Sequence, residues 1–472
     1  MKLNKILTTA LAACCSFAVM AQTLSYPLVS TGQVECYDLN GEKIKTPKSG
    51  DELYGQDGNY KAGLPMSYKD NGDGTVSDLN TGLMWEQTPA AGPVTWAEAQ
   101  KYCDELNLAG HGDWRLPTLK ELYSISNFSA GWPYLDTKYF KLSVEGRVDK
   151  DEQYWGQEKY VGETVEGRGN AAFGVNHATG HIKAYPAGGD GGERGGDRPQ
   201  QARQRGGQRD QQGGRPPMPQ GADSLRRPPM PDSARMANMP DSLRRQAPPL
   251  QQGEQAQRPP QGQQGGQRQG GQRPQMAGGQ QGGGAPQMMG NPMQKRVRAV
   301  RGDLYGVNNF VDNGDGTISD KATGLMWAKS DNGEGVMWAD AVKYAESSEL
   351  AGHTDWRLPN VKELQSIVDY RYAPSSKEFK PAIDPMFNCT PFVNEAKVDD
   401  YGYYWTNTSA LFRADSPFYF AWYVAFGRAV NGQGLDMHGA GAVRFDSKSK
   451  GVAVEGGEER YNNFVRLVRV ER

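Results

Sequence analysis

Cysteine is scarce: the 472 residues hold five, and two of them, Cys14 and Cys15, fall in an apolar N-terminal segment. The other three, Cys36, Cys103 and Cys389, cannot all pair within one chain, which excludes the disulfide framework of small secreted domains. At most one bridge can form, and the sequence does not say which. Long apolar runs are lacking too. Beyond the N terminus none reaches the roughly 18 residues that a membrane-spanning helix requires. There are only five histidines, and no His-Glu-x-x-His, Gly-x-Ser-x-Gly or phosphate-cradling Gly-Lys-Ser occurs, so no enzyme signature is present. No catalytic residue, resident metal or cofactor is therefore expected.

Aromatic residues are absent from 187–296, although Trp and Tyr are abundant on either side. Of those 110 residues, 61 are Gly, Gln or Pro, too little apolar surface to offset the entropy of ordering. The expectation is a disordered insert over 187–295. The tract holds 15 Arg and one Lys against eight acidic residues, a net charge of +8, which leaves −10 on the rest of a chain of net charge −2. Its Asp-Ser-Leu-Arg-Arg repeats present Arg226, Arg227, Arg244 and Arg245 as the polyanion-binding groups of a basic arm. Glycine falls short of one third and has no three-residue period, so the tract is not collagen. Its Arg-Gly-Gly pairs do not amount to a specific nucleic-acid site.

What is present is a duplication. Residues 70–86 and 312–328 share 13 of 17 identities at an offset of 242, and 96–126 and 338–368 share 19 of 31. So long a period denotes two whole modules rather than a solenoid. In each, Asp-Asn-Gly-Asp-Gly predicts a hairpin turn between β-prone flanks, and Thr-Gly-Leu-Met-Trp continues a small antiparallel meander. Thr95 with Glu98 reads as the capping box of an amphipathic helix that buries Trp96, Ala99, Cys103 and Leu106. Trp338, Ala341, Ala345 and Ser348 hold the same face in the second copy. A second helix follows Trp-Arg-Leu-Pro, with Pro117 or Pro359 placed in its first turn and Leu119, Leu122 and Ile125 on one side. The closing strand Val465-Arg466-Leu467-Val468-Arg469 matches Val297 to Arg301, so the insert interrupts module 1 ahead of its last strand. The fold class is α+β, with small antiparallel sheets and two helices per module. Residues 1–21 read as a signal peptide, 22–53 as an N-terminal extension, 54–302 as module 1 (ordered over 54–186 and 296–302) and 303–472 as module 2. The protein is thus expected to be exported, to the periplasm or the cell surface. Leu11-Ala12-Ala13-Cys14 also fits a lipobox, which makes a lipoprotein anchored through Cys14 the alternative.

The Asp-Asn-Gly-Asp-Gly-Thr hexapeptide is better explained as a turn than as a calcium loop, because Lys69 or Val311 stands where the first carboxylate should be. His177 and His181 have the spacing of metal ligands but flank a Thr-Gly turn with no counterpart in module 2. His111 and His353, in the duplicated segment, read as structural. Arg115 with Glu121, and Arg357 with Glu363, read as salt bridges that pin a loop to a helix.

Together the hexapeptide, Thr-Gly-Leu-Met-Trp, Trp-Ala-Glu-Ala, Gly-His-x-Asp-Trp-Arg-Leu-Pro-x-x-Lys-Glu-Leu and the closing Val-Arg-x-Val-Arg resemble the Lcl C-terminal domain family, named after a collagen-like bacterial adhesin. The resemblance covers both modules. It implies a C-type-lectin-like fold in each, and recognition of glycan, of another anionic polymer such as a sulfated glycosaminoglycan, or of a surface protein. The fold is also similar to that of formylglycine-generating enzymes, but neither module offers the cysteine pair that their chemistry needs. Family members often carry a cysteine in the closing strand, where this chain has Ala299 and Leu467, so a bridge from Cys103 does not carry over. Without a collagen-like region, trimerisation does not carry over either, and the oligomeric state stays open. Module 2 is the expected binding module: Trp405, Trp422 and Tyr423 as flat apolar faces, Asn431 to Gly441 as a mobile Gly-rich loop, and Arg428, Asn431, Asp436 and His438 as polar contacts. The alternative is a structural or matrix protein whose basic arm binds polyanions while the modules act as scaffolds.

Overall fold

A computed structural model describes residues 24–144, 147–188, 293–411, 416–451 and 461–471. The predicted signal peptide, with Cys14, and nearly all of the predicted insert, with Arg226, Arg227, Arg244 and Arg245, lie outside the described residues.

The extension carries β1 (Cys36–Tyr37) and β2 (Lys43–Ile44), and the short α1 (Asp57–Tyr60) stands at the head of module 1. Module 1 continues as β3 (Tyr68–Asp70), β4 (Thr75–Asp78), β5 (Met84–Glu86), α2 (Trp96–Glu105), α3 (Leu119–Ser124), β6 (Gln153–Tyr160), β7 (Ala171–Asn176), β8 (Ile182–Pro186) and, beyond the insert, β9 (Val300–Arg301). Module 2 repeats the order with β10 (Phe310–Asp312), β11 (Thr317–Asp320), β12 (Leu325–Ala328), α4 (Trp338–Glu346) and α5 (Val361–Ser366). A small hairpin, β13 (Pro391–Val393) and β14 (Asp399–Tyr401), then precedes β15 (Tyr403–Ala410), β16 (Phe420–Ala425), β17 (Val443–Ser447) and β18 (Val468–Val470).

Each meander closes on its late strand. The first sheet runs β3-β4-β5-β9 and the second β10-β11-β12-β18, all antiparallel. The hexapeptide forms the first turn in both copies, because its side chains satisfy the turn's own backbone. Asp70 Oδ1 accepts from the Gly72 amide at 2.9 Å, and Asp73 Oδ1 from the Thr75 amide at 3.1 Å and its hydroxyl at 2.6 Å. Asp312 and Asp315 repeat these bonds. Gly72 and Gly74 sit at φ of +76° and +87°, a conformation that a side chain would strain.

Helix α2 has the predicted capping box of Thr95 and Glu98, and α4 begins at Met337 with no side-chain cap. Both bury the Trp-Ala-(Cys/Ala) stripe, whereas Leu106 and Ser348 lie beyond the helical turns. Helices α3 and α5 are capped by Thr118 with Glu121 and by Asn360 with Glu363. Pro117 and Pro359 therefore stand one residue ahead of the cap rather than in the first turn. There their carbonyls accept the Gln157 and Asn407 amides at 2.9 Å. Arg115 and Arg357 grip Glu121 and Glu363 through two bonds each, at 2.6 and 2.7 Å, and so fix the loop to the helix.

The two copies share one six-stranded sheet, ordered β15-β16-β17-β8-β7-β6. It reads as a palindrome, since β6, β7 and β8 are the counterparts of β15, β16 and β17, and the inner strands β8 and β17 pair at Ile182 and Val443. The largest core cluster spans the junction: Trp422 meets Phe128 and Tyr134 edge-on at 5.5 and 5.4 Å. Cys36, Cys103 and Cys389 are all free thiols.

Candidate functional site

The structure moves the expected ligand site. Trp405 and Trp422 are 0% exposed and Tyr423 is 5% exposed, so none offers a ring face to a ligand. The Trp405 indole donates to the Val336 carbonyl at 2.9 Å, Trp422 sits among Phe128, Tyr134 and Phe445, and Tyr423 stacks on Tyr403 at 4.7 Å. The reason is that β15 and β16 are buried at every residue, on both faces of the sheet, so they lack the exposed face of a surface strand.

The loop Asn431 to Gly441 is packed against module 1 instead of standing free. Asp436 accepts from the Tyr160 hydroxyl at 2.6 Å, its carbonyl from the Val165 amide at 2.8 Å, and the His438 carbonyl from the Ala184 amide at 2.7 Å. Burial raises the Asp436 carboxyl to about 6. Asn431 is a turn builder whose Oδ1 accepts the Gln433 and Leu435 amides at 3.0 and 3.1 Å. Arg428 donates to the Asp399 and Pro374 carbonyls at 2.9 and 3.1 Å, with Asp400 3.5 Å away. Of the predicted polar set, only His438 belongs to a cluster with ligand-binding chemistry.

That cluster joins the copies. Arg444 Nη1 lies 3.0 Å from His438 Nε2, and burial with the Arg444 charge holds this imidazole well below its usual range, hence neutral and accepting. Lys183, on β8, is pushed down to about 7 by burial and by the neighbouring Arg444 and Lys295 charges. Lys295, just past the insert, holds its ammonium 4.3 Å from the Tyr185 ring centroid, and burial lowers its pKa. Among the described residues, no carboxylate forms an ion pair with Lys183, Lys295 or Arg444. Glu166 acts on both lysines and Asp151 on Lys295, but neither reaches salt-bridge contact, and half-buried cations without a contacting counter-ion are costly, which leaves the cluster suited to an anion. Sequence reasoning missed it because its members come from three distant segments.

A cleft is a second feature not foreseen. An open cleft of about 650 Å³ lies between α3 and the end of β6 in module 1 and residues 367–371 of module 2. Lys120, Glu158, Asp369 and Tyr370 line it, and Val161, Leu304 and Val307 are 46%, 57% and 58% exposed on its rim. Lys120 donates to the Gly306 carbonyl at 3.0 Å and to Asn308 Oδ1 at 2.7 Å, and burial pushes it down to about 8. Glu158 accepts the Leu119 amide at 3.0 Å, and burial raises its carboxyl to about 7. The sequence signal was there: Glu158 corresponds to Thr408, and Tyr370 to Phe128, so the cleft lies where the copies differ.

His177 and His181 are both buried, and burial lowers both imidazoles, His177 to about 3. Among the described residues no three His, Cys, Asp or Glu side chains gather as a metal site would need.

The sequence model of the Lcl C-terminal domain matches residues 74–192 and 316–469, together more than half of the chain. The chain belongs to the Lcl C-terminal domain family. No curated protein and no solved structure matches it. In both Lcl copies the matched segment begins at the end of the hexapeptide turn and holds both helices and the Arg–Glu clamp. The second match also reaches the closing strand, whereas the first stops at 192, short of β9 beyond the insert.

Proposed function

We propose that this protein is an adhesin-like, surface-associated binding protein of a bacterium that recognises an anionic polymer, a sulfated or otherwise acidic glycan first among them. The observation that carries this reading is the group of Lys183, Lys295 and Arg444 beside His438, half-buried cations with no carboxylate partner among the described residues. Acidic groups spaced along a polymer supply the missing counter-charge, and the interaction weakens as salt rises. Membership of the Lcl family and the apolar N-terminal segment support a place outside the cytoplasm. Among the described residues no helix is long and apolar enough to cross a membrane. Each module serves as a C-type-lectin-like scaffold, and the activity is binding rather than catalysis, without a resident cofactor.

One further observation favours the arm as a second contributor: the tract between the halves of module 1 carries a net charge of +8. Retention on a heparin column separates the two readings. Reversing both Lys183→Glu and Arg444→Glu is expected to lower the eluting salt markedly. Deleting 189–292, which leaves the Met293 amide bonded to the Pro186 carbonyl at 2.9 Å, is expected to lower it less. Unchanged retention of the double variant sinks the cluster, and complete loss on deletion transfers the function to the arm.

A further inference from the structure

The palindromic sheet implies two equivalent clefts, and only one is open. The cleft built by α5, the end of β15 and residues 125–129 is filled by the chain's own extension. There the Thr31 carbonyl accepts the Phe128 amide at 2.8 Å. The Gln33 side chain spans the gap: its Nε2 donates to the Phe128 and Ser409 carbonyls at 3.4 and 3.0 Å, and its Oε1 accepts the Ser409 amide at 2.8 Å. Lys362 donates to the Ser30 carbonyl at 3.0 Å. Gly32 between them has φ of +81°, and a Cβ there would stand 2.8 Å from Met66 and 3.0 Å from Asn127. The filling is thus an irregular segment that turns at Gly32, held through the Ser30 and Thr31 carbonyls and the Gln33 side-chain amide.

The open cleft carries the counterparts of this cradle. The 242-residue offset turns Phe128 into Tyr370 and Lys362 into Lys120, which already donates to the Gly306 carbonyl as Lys362 does to Ser30, and the matched Tyr-Trp pairs of β6 and β15 turn Ser409 into Lys159 and Thr408 into Glu158. The strands bulge at the same place, between Trp155 and Lys159 and between Trp405 and Ser409. No carbonyl among the described residues meets the Tyr370 amide. In the filled cleft a carboxylate, Asp57 at the head of module 1, accepts from Thr408 at 2.7 Å and from Thr31 of the extension at 2.7 Å. In the open one Glu158 already supplies it from the wall, so the missing occupant need carry no charge.

We infer that the cleft between α3 and residues 367–371 binds a short, uncharged peptide segment of a partner protein centred on Gly-Gln, in the manner in which Thr31 to Gln33 occupy the equivalent cleft. The Val161, Leu304 and Val307 rim provides apolar cover for the flanking side chains.

The probe is a fluorescent peptide with the sequence of residues 27–34, capped at both ends, titrated into the full chain. Saturable binding is expected, weakened about tenfold or more by Gln33→Ala in the peptide and by Val307→Glu or Val161→Glu in the protein. The rim side chains are largely exposed, so these variants should keep the unmodified unfolding midpoint, measured alongside. Equal affinity for the two peptides, indifference to both rim variants, or no saturable binding overturns the inference. A neutral oligosaccharide that binds in a rim-dependent way while the peptide stays silent overturns it in favour of a glycan. Heparin retention, read on the same variants, is expected to be unchanged, which keeps this test separate from that of the cationic cluster.

Discussion

Arg298 and Arg466 are the least conventional residues of the fold. Each is 0% exposed, two residues ahead of the closing strand of its copy. Arg466 donates to the Ala328, Lys329 and Asn388 carbonyls at 2.9, 2.8 and 2.7 Å and lies over the Phe387 and Tyr404 rings. Arg298 does the same with the carbonyls of Glu86, Gln87 and Lys141, over Phe140 and Tyr154. A guanidinium suits this place because its planar fork reaches several carbonyls at once while its faces stack on rings. Arg466→Met keeps the approximate volume but strands three carbonyls, and should cost about 3–5 kcal/mol in urea unfolding. A loss below about 1 kcal/mol would show that water replaces the arginine. The Val-Arg-x-Val-Arg pattern was visible in the sequence, and so was the match between the two closing strands. That the first arginine points inward was not, since its acceptors come from segments more than 70 residues away. The misplacement of Trp405 and Trp422 has the same origin: a strand covered on both faces differs from a half-exposed one only through what packs on it.

At the scale of the element, the extension acts as the plug of one cleft, a role that its composition did not announce. Buried behind it at the head of module 1, Asp57 accepts from Thr31 and Thr408 through Oδ2, and Oδ1 has no hydrogen-bond partner among the described residues. Burial raises this carboxyl to about 6, opposed by Thr408, Thr31 and Arg357 and reinforced by Glu363. An acid whose folded pKa is raised stays protonated in the fold where the unfolded chain has ionised. Stability therefore falls as pH rises from about 4 to about 6 and is level above that. Lys362, lowered by burial to about 7, contributes in the opposite sense: stability rises between pH 7 and the ordinary lysine range. A shallow minimum near pH 6–7 is the expected profile of the urea midpoint. Asp57→Asn should flatten the acidic arm, on the order of 2 kcal/mol, and leave the alkaline arm in place. A profile in which the variant tracks the unmodified protein from pH 4 to 6 would assign that arm to Asp436 or Glu158.

For the whole molecule, the duplication was legible from identities alone, because the repeated residues are those of turns, caps and core. The way in which the copies meet was not. The junction relies on residues in which they differ: Trp422 packs on Phe128 and Tyr134, and Asp436 accepts from Tyr160. Severed from module 1, residues 303–472 would expose the β17 edge and the face of Trp422 that Phe128 covers, an invitation to aggregation. The chain lacking 189–292 is accordingly expected to unfold in one calorimetric transition, since a core shared between the copies couples their melting. Trp422→Ala, which opens a cavity at the junction, should cost about 3–5 kcal/mol and lower that one transition as a unit. Two transitions, with the substitution moving only the one that belongs to module 2, would mean that each copy is stable alone and that the shared sheet is a contact between finished domains.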